Sequence, residues 1–322
     1  MAVGLPWTLV MPPGAFRLIL AFAVVMSHVS RFDIGRLAVI LFFFLSGYWT
    51  ARIWREKFEG QRLWSFYLSR YWRVAPLFFI VTLGAAAIRS LPLHLVNFTL
   101  LGVGSSNFDP TGVSWSLDVE LQFYFLLPLI YGLITAAPKR VLLATLILAV
   151  AGWWLDTRFG ITTVAKYLPA FALGAVTLVT DWKPSARAAH VSLAMFVLFT
   201  GLTAATPFLT KLDVDPFDND IWGFLWMLPL LPYVAHSLTL RSSRLDRHLG
   251  NLSFPLYLVH FTTVGVVLNW LGANLEAKAL AVALSCLVAL AIYWLLDRPI
   301  DRMRVAVTEP ATPRQTRTSA GA

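Results

Sequence analysis

Apolar residues run in long blocks from one end of the 322-residue chain to the other, separated by short polar stretches. A helix needs roughly 20 predominantly apolar residues to cross a bilayer. Ten segments approach that length, near residues 14–31, 35–54, 71–89, 114–135, 141–156, 163–180, 189–207, 220–240, 252–271 and 277–296. The pattern predicts an all-α, polytopic integral membrane protein with about ten transmembrane helices. It forms one membrane domain over residues 1–304, which leaves no room for a soluble catalytic domain. The end of the chain, TEPATPRQTRTSAGA, is small, polar and proline-bearing, so residues 305–322 read as a disordered cytoplasmic tail. Leu93 to Gly104 is apolar but too short to span, and is expected to be a re-entrant or surface piece before the fourth segment.

Composition strengthens this picture. With 58% hydrophobic and 13% charged residues, the chain is too apolar for a soluble domain of its length. The net charge of +9 could suggest a nucleic-acid partner, but its placement argues for membrane topology instead. Of the 26 lysines and arginines, 18 fall after the second, fourth, sixth, eighth and tenth segments, seven fall on the opposite side, and Arg17 lies within the first. The positive-inside rule therefore puts both termini in the cytoplasm. Lys211 to Asp220, with four aspartates, suits an outer face. The first 15 residues carry no Lys or Arg, so a cleavable signal peptide is not expected. The single cysteine, Cys286, excludes a disulfide framework or a thiolate metal cage.

Ionisable residues inside apolar segments cost about 2.5–3.5 kcal/mol each at the bilayer centre, so each is a candidate for function. The stretch FRLILAFAVVMSH holds Arg17 and His28, 11 residues apart. That spacing is three turns plus about 20°, which puts both on one face and separates them by about 16 Å. Arg17 reads as a snorkelling anchor or a functional charge near the cytoplasmic side. His28 reads as a packing histidine or a functional base past the midplane. In GVSWSLDVELQFYFLLP, Glu120 opens a spanning run and Ser116 lies one turn earlier on its face. A carboxylate there needs a partner, and a histidine on another helix is the expected one. The pair would hold imidazole in one tautomer as a proton acceptor.

SRYWRVAP places Arg70 and Arg73 at i, i+3, so their guanidinium forks point the same way, a geometry suited to phosphates as well as to ordinary positive-inside anchoring. Ser46 and Gly47 in LFFFLSGYW form a small pair that permits close approach of a helix or a ligand. Asp118 is expected to favour its helix's amino terminus, and His260 to be structural. The chain holds no His-Glu-x-x-His, Gly-x-Ser-x-Gly or P-loop, so zinc hydrolysis, serine hydrolysis and ATP-driven work have no support.

These motifs together resemble the acyltransferase 3 family of membrane acyltransferases, which O-acylates bacterial surface sugars and some antibiotics. Phe16-Arg17 with His28, FFFLSGY, Arg70 and Arg73 in SRYWRVAP, VSWSLDVELQFYFLLP, YLPAFALGAV and LGNLSFPLYLVH match its segments in order. The family's Asp-Gly-Leu-Arg opening is missing, and Asp297 stands where many members have Glu. The resemblance implies an acyl-CoA donor, acetyl-CoA foremost, with no permanently bound cofactor and no metal. It further implies a hydroxyl acceptor on a glycan or glycolipid, and a bacterial inner-membrane location. His28 and Glu120 would then be catalytic, and Arg17, Arg70 and Arg73 would bind the donor. Ser46, Tyr48 and Ser116 are candidate donors to the oxyanion or the acceptor. The rival expectation is a transporter or flippase of a glycan or lipid precursor, which would predict an inverted repeat that the sequence does not display.

Overall fold

In the computed structural model, residues 10–31, 34–203 and 219–308 are described. Among them the chain is helical, with no strand. In order come α1 (Pro13–Val29), α2 (Gly35–Ile53), α3 (Leu63–Arg89), a one-turn α4 (Val96–Thr99), α5 (Ser114–Ala136), α6 (Pro138–Phe159), α7 (Val164–Val179), α8 (Ala186–Thr203), α9 (Asn219–Ser237), α10 (Arg244–Leu271), α11 (Leu275–Ile292) and α12 (Arg298–Thr308). Wider π-turns at Trp54–Phe58 and Tyr293–Asp297 extend α2 and join α11 to α12.

Each of the ten apolar segments carries a helix. Among the described residues, six stretches are long and apolar enough to cross a membrane: those at Gly35–Phe58, Leu63–Arg89, Ser114–Ala136, Pro138–Phe159, Arg244–Leu271 and Leu275–Thr308. The helices at Pro13–Val29, Val164–Val179 and Ala186–Leu202 are apolar but shorter, so length and composition qualify fewer spans than ten. Helix α12 continues through Thr308, with Arg304 and Thr308 buried, so residues 305–308, expected to belong to a disordered tail, are helical. The remainder of that tail, and all but the end of the acidic Lys211–Asp220 stretch, lie outside the described residues.

Helix α2 sits at the centre, packed against α1, α5, α7 and α9. Hydrophobicity alone does not bring helices together in lipid, so close backbone approach at small residues matters. A Cβ on Gly47 would meet the Phe171 carbonyl oxygen at 2.0 Å, and one on Gly174 would meet the Phe44 carbonyl oxygen at the same distance. Of the two uses foreseen for the Ser46-Gly47 pair, Gly47 therefore serves helix contact. Helices α1 and α10 meet the same way, since a Cβ on Gly14 would strike Asp246 and one on Gly250 would lie 2.9 Å from Gly14 Cα. Phe43, Phe44, Phe123, Tyr167 and Phe171 fill the interior, with Phe123 stacked on Phe171 at 4.2 Å between ring centroids. Helix α6 instead turns Leu143, Leu146, Ile147 and Val150 outward, the surface a lipid-facing helix presents.

Leu93–Gly104 folds as α4 and a tight turn. Asn97 donates to the Phe108 carbonyl at 2.6 Å and accepts from His94 N–H at 2.8 Å. The Gly104 N–H donates to Asp118 at 3.0 Å, so Asp118 anchors this loop. Asp118 also accepts from Gln122, whose own carbonyl oxygen receives the Val164 N–H at the start of α7.

Candidate active site

A cavity of about 460 Å³ lies between α1, α2, α3, α5 and α10. Ligand pockets run to roughly 300–1,000 Å³, so this one can hold a small molecule or part of a larger one. Arg17, Ser46, Arg70, Arg73, Ser116 and Glu120 all line it. Six residues from four helices, singled out by spacing and charge, thus converge on one space. The end nearest the starts of α1, α3 and α10 is cationic, with Arg17, Arg70, Arg73 and Arg247.

Two carboxylates shape that cationic end. Asp246 accepts from the Gly14 and Ala15 N–H groups at 3.1 and 2.7 Å and from the Ser242 hydroxyl. Pro12, which precedes α1, supplies no side-chain cap, so Asp246 on α10 satisfies α1's first free donors from outside. The negative charge also suits the positive end of the helix. Arg17 begins the next turn and is thereby fixed relative to α10. Asp297, buried in the π-turn before α12, forms an ion pair with Arg73 at 2.9 Å. Arg70 and Arg304 both donate to the Ser69 hydroxyl, at 3.1 and 3.0 Å, so α12 backs the arginine pair from outside the cavity. Proline carries no N–H, so Pro255 cannot make the i to i−4 hydrogen bond to the Asn251 carbonyl in this same wall.

Deeper in, Glu120 accepts hydrogen bonds from the Ser46 hydroxyl and from Tyr124 at 2.7 Å. Ser116 and Tyr257 bring their hydroxyls to 2.7 Å, and Tyr257 also reaches the Val113 carbonyl. These pairs join α2 to α5 and α5 to α10.

Two expectations require correction. Glu120 does not pair with His28: its hydrogen bonds come from Ser46 and Tyr124, and His28 lies outside the cavity wall. The His28 ring instead sits 5.1 Å from those of His260 and Phe261. The reason is height. His28 is one residue from the end of α1, whereas Glu120 lies six residues into α5, about 9 Å along its axis. Tyr48 is also outside the cavity, packed edge-on to Trp49. It is two residues from Ser46, and residues at that spacing face opposite sides of a helix.

Other site residues escaped sequence reasoning. Tyr124 stands at i+4 from Glu120, a spacing that was available to read. Ser243 and Asp246 form a Ser-x-x-Asp signature, and Ser243 does cap α10 by accepting from the Asp246 N–H, but nothing local reveals that the carboxylate turns to α1.

A multi-helical membrane fold enclosing an arginine-lined cavity with a carboxylate at its inner end defines a class, and the comparison of families agrees. Residues 14–298 match the acyltransferase 3 family model, described as "Acyltransferase domain", and the chain belongs to that family. Among curated relatives, Acyltransferase MdmB of Streptomyces mycarofaciens is 26% identical over 327 aligned positions, covering 81% of this chain and 79% of that protein. Nodulation protein 10 of Rhizobium leguminosarum bv. viciae is 26% identical over 218, covering 61% of this chain and 56% of that protein, so the match spans little over half of this relative. No solved structure matches.

Proposed function

We propose that the protein is a membrane O-acyltransferase that moves an acyl group, acetyl foremost, from cytoplasmic acyl-CoA to a hydroxyl of an extracytoplasmic or lipid-linked sugar. The observation that carries this reading is the convergence of Arg17, Arg70 and Arg73 on one cavity that ends at Glu120. Guanidinium groups grip phosphates through paired N–H donors. The bias of Lys and Arg toward the loops on the same side as Arg70 and Arg73 favours a cytoplasmic position for that side and for both termini, and we read the membrane as a bacterial inner membrane. Coenzyme A is found there. Its nucleotide phosphates would meet Arg70 and Arg73, and the pantetheine arm would pass Arg17 toward Ser46 and Ser116.

Chemistry follows beyond the inner end, toward the close of α1 where His28 stands. His28 accepts the proton of the incoming hydroxyl, whose oxygen attacks the thioester carbonyl. The C–O bond forms, the C–S bond breaks, and the departing thiolate takes up a proton. Glu120 acts by accepting hydrogen bonds from the Ser46 and Tyr124 hydroxyls, which fixes both side chains in the wall along the donor's path.

Membranes containing the protein should transfer labelled acetyl from acetyl-CoA to a glycan or glycolipid fraction, and His28→Ala should abolish transfer at unchanged protein level. Full transfer by that variant removes His28 from the mechanism. A transporter would instead move its substrate without acylating it.

A further inference from the structure

His260 was expected to be structural, yet its surroundings are not those of an ordinary packing residue. It is fully buried on α10. Its Nδ1 lies 2.7 Å from the Tyr257 carbonyl oxygen and 3.3 Å from that of Leu256. A carbonyl oxygen can only accept, so this network assigns the ring proton to Nδ1. Nε2 is then a lone-pair acceptor, and it has no hydrogen-bond partner among the described residues. Buried acceptors are nearly always satisfied, so one held open calls for an explanation.

The His28 ring lies 5.1 Å away between centroids, tilted by 41°. Phe261 bounds His28 on another side, edge-on at 79°. Phe261 is itself seated under the Arg89 guanidinium and against Gly112, where a Cβ would strike its ring at 2.3 Å. Glu120, already engaged by Ser46 and Tyr124, does not serve His28. One turn before His260 on the same helix, Tyr257 meets Ser116 in the cavity wall.

The geometry points to His260 as the positioning residue of His28: in the reacting state its Nε2 accepts the His28 ring N–H. This rests on the reading of His28 as the base. With one His28 nitrogen donating to His260, the other presents its lone pair to the acceptor hydroxyl. The hydroxyl proton passes to His28 as the C–O bond forms and the thioester C–S bond breaks. The leaving thiolate then takes that proton, and His28 returns to its neutral form. His260 carries no bond change; it fixes the tautomer of the base and stabilises the imidazolium while it exists.

The test uses the full chain in membranes, with labelled acetyl-CoA as donor and incorporation into the glycan and lipid fractions as readout. His260→Leu removes the acceptor. His260→Gln keeps one, since its Oε1 can take the place of Nε2. Loss of a group that orients a base is expected to lower the maximal rate of His260→Leu on the order of tenfold to a hundredfold, with KM for acetyl-CoA within about twofold. His260→Gln should recover most of that rate. If His260 only packs, Leu fits the buried site at least as well as Gln, and equal rates or a better Leu variant overturn the inference. A Leu variant that fails to accumulate while Gln remains as slow as His28→Ala overturns it too. If the unaltered protein transfers no acetyl, the proposed function fails as well. If it transfers and His260→Leu matches it, only the role of His260 falls.

Discussion

Arg73 pairs with Asp297 and, on the proposed reading, also meets the donor, and a mutant cycle with Asp297 separates the two roles. The ion pair is 2.9 Å long, with the Asp297 side chain 4% exposed and that of Arg73 20% exposed. Breaking a buried pair by removing one member costs about 3–5 kcal/mol, because the remaining charge is left without compensation. The partial exposure of Arg73 sets the expected loss for Arg73→Met at the lower end, about 3 kcal/mol. Asp297→Asn keeps the shape but leaves Arg73 unpaired, and should cost about 2 kcal/mol. Combining the two leaves no buried charge, so the double variant should be more stable than the sum of the singles by about 2 kcal/mol. Donor binding should not recover with it, because the cavity still lacks one guanidinium. Thermal unfolding in detergent reads the first quantity, and KM for acetyl-CoA in membranes reads the second. Recovery of stability with KM still raised at least about tenfold matches a residue with both roles, at about 1.4 kcal/mol per decade. If the double variant regains the original KM, Arg73 contributes nothing to the donor. Additive losses of stability would mean that the two charges do not meet as described.

Three further outcomes are expected. Asp246→Ala leaves the Gly14 and Ala15 N–H groups without their acceptor and should lower stability by about 1–3 kcal/mol, read by thermal unfolding, while raising the acetyl-CoA KM through displacement of Arg17. Gly47→Ala forces α2 and α7 apart and should cost about 1–3 kcal/mol or abolish accumulation, whereas Gly84→Ala, with nothing within 4 Å of the added carbon, should be neutral or stabilising by up to about 1 kcal/mol; immunoblots and unfolding midpoints compare them. Glu120→Ala removes the acceptor that positions both Ser46 and Tyr124 and should reduce the transfer rate at least about a hundredfold through misplacement of the cavity wall, while Glu120→Gln, which retains an acceptor oxygen, should lose less in the same assay.

The parts of the structure that were legible share a cause. Helices in lipid must satisfy their own backbone, so an apolar run converts almost directly into a helix. Arg70 with Arg73, and Ser116 with Glu120, were readable because i, i+3 and i, i+4 spacing fixes a face. Tyr48 was misjudged for want of that same rule, since it lies on the far side of α2 from Ser46. The pairing of His28 with Glu120 failed because spacing within one helix says nothing about relative depth between two. Asp246 and Asp297 were illegible as partners of α1 and of Arg73 for another reason. Their positions in the chain are more than 220 residues from the groups they serve, and only packing brings them together.

The hydrogen bonds from Gly14 and Ala15 to Asp246 span 232 and 231 positions of sequence. During synthesis, α1 emerges first and must wait in the bilayer with its leading amides uncapped until α10 is made. One wall of the cavity is therefore among the last parts of the protein to be assembled. A nascent chain halted after α9 would hold Arg17, Arg70, Arg73 and Glu120 yet enclose no site. Because α10 supplies part of the cavity wall, it is the closing piece. Supplied separately, a fragment beginning before Ser242 should complete a chain that lacks it.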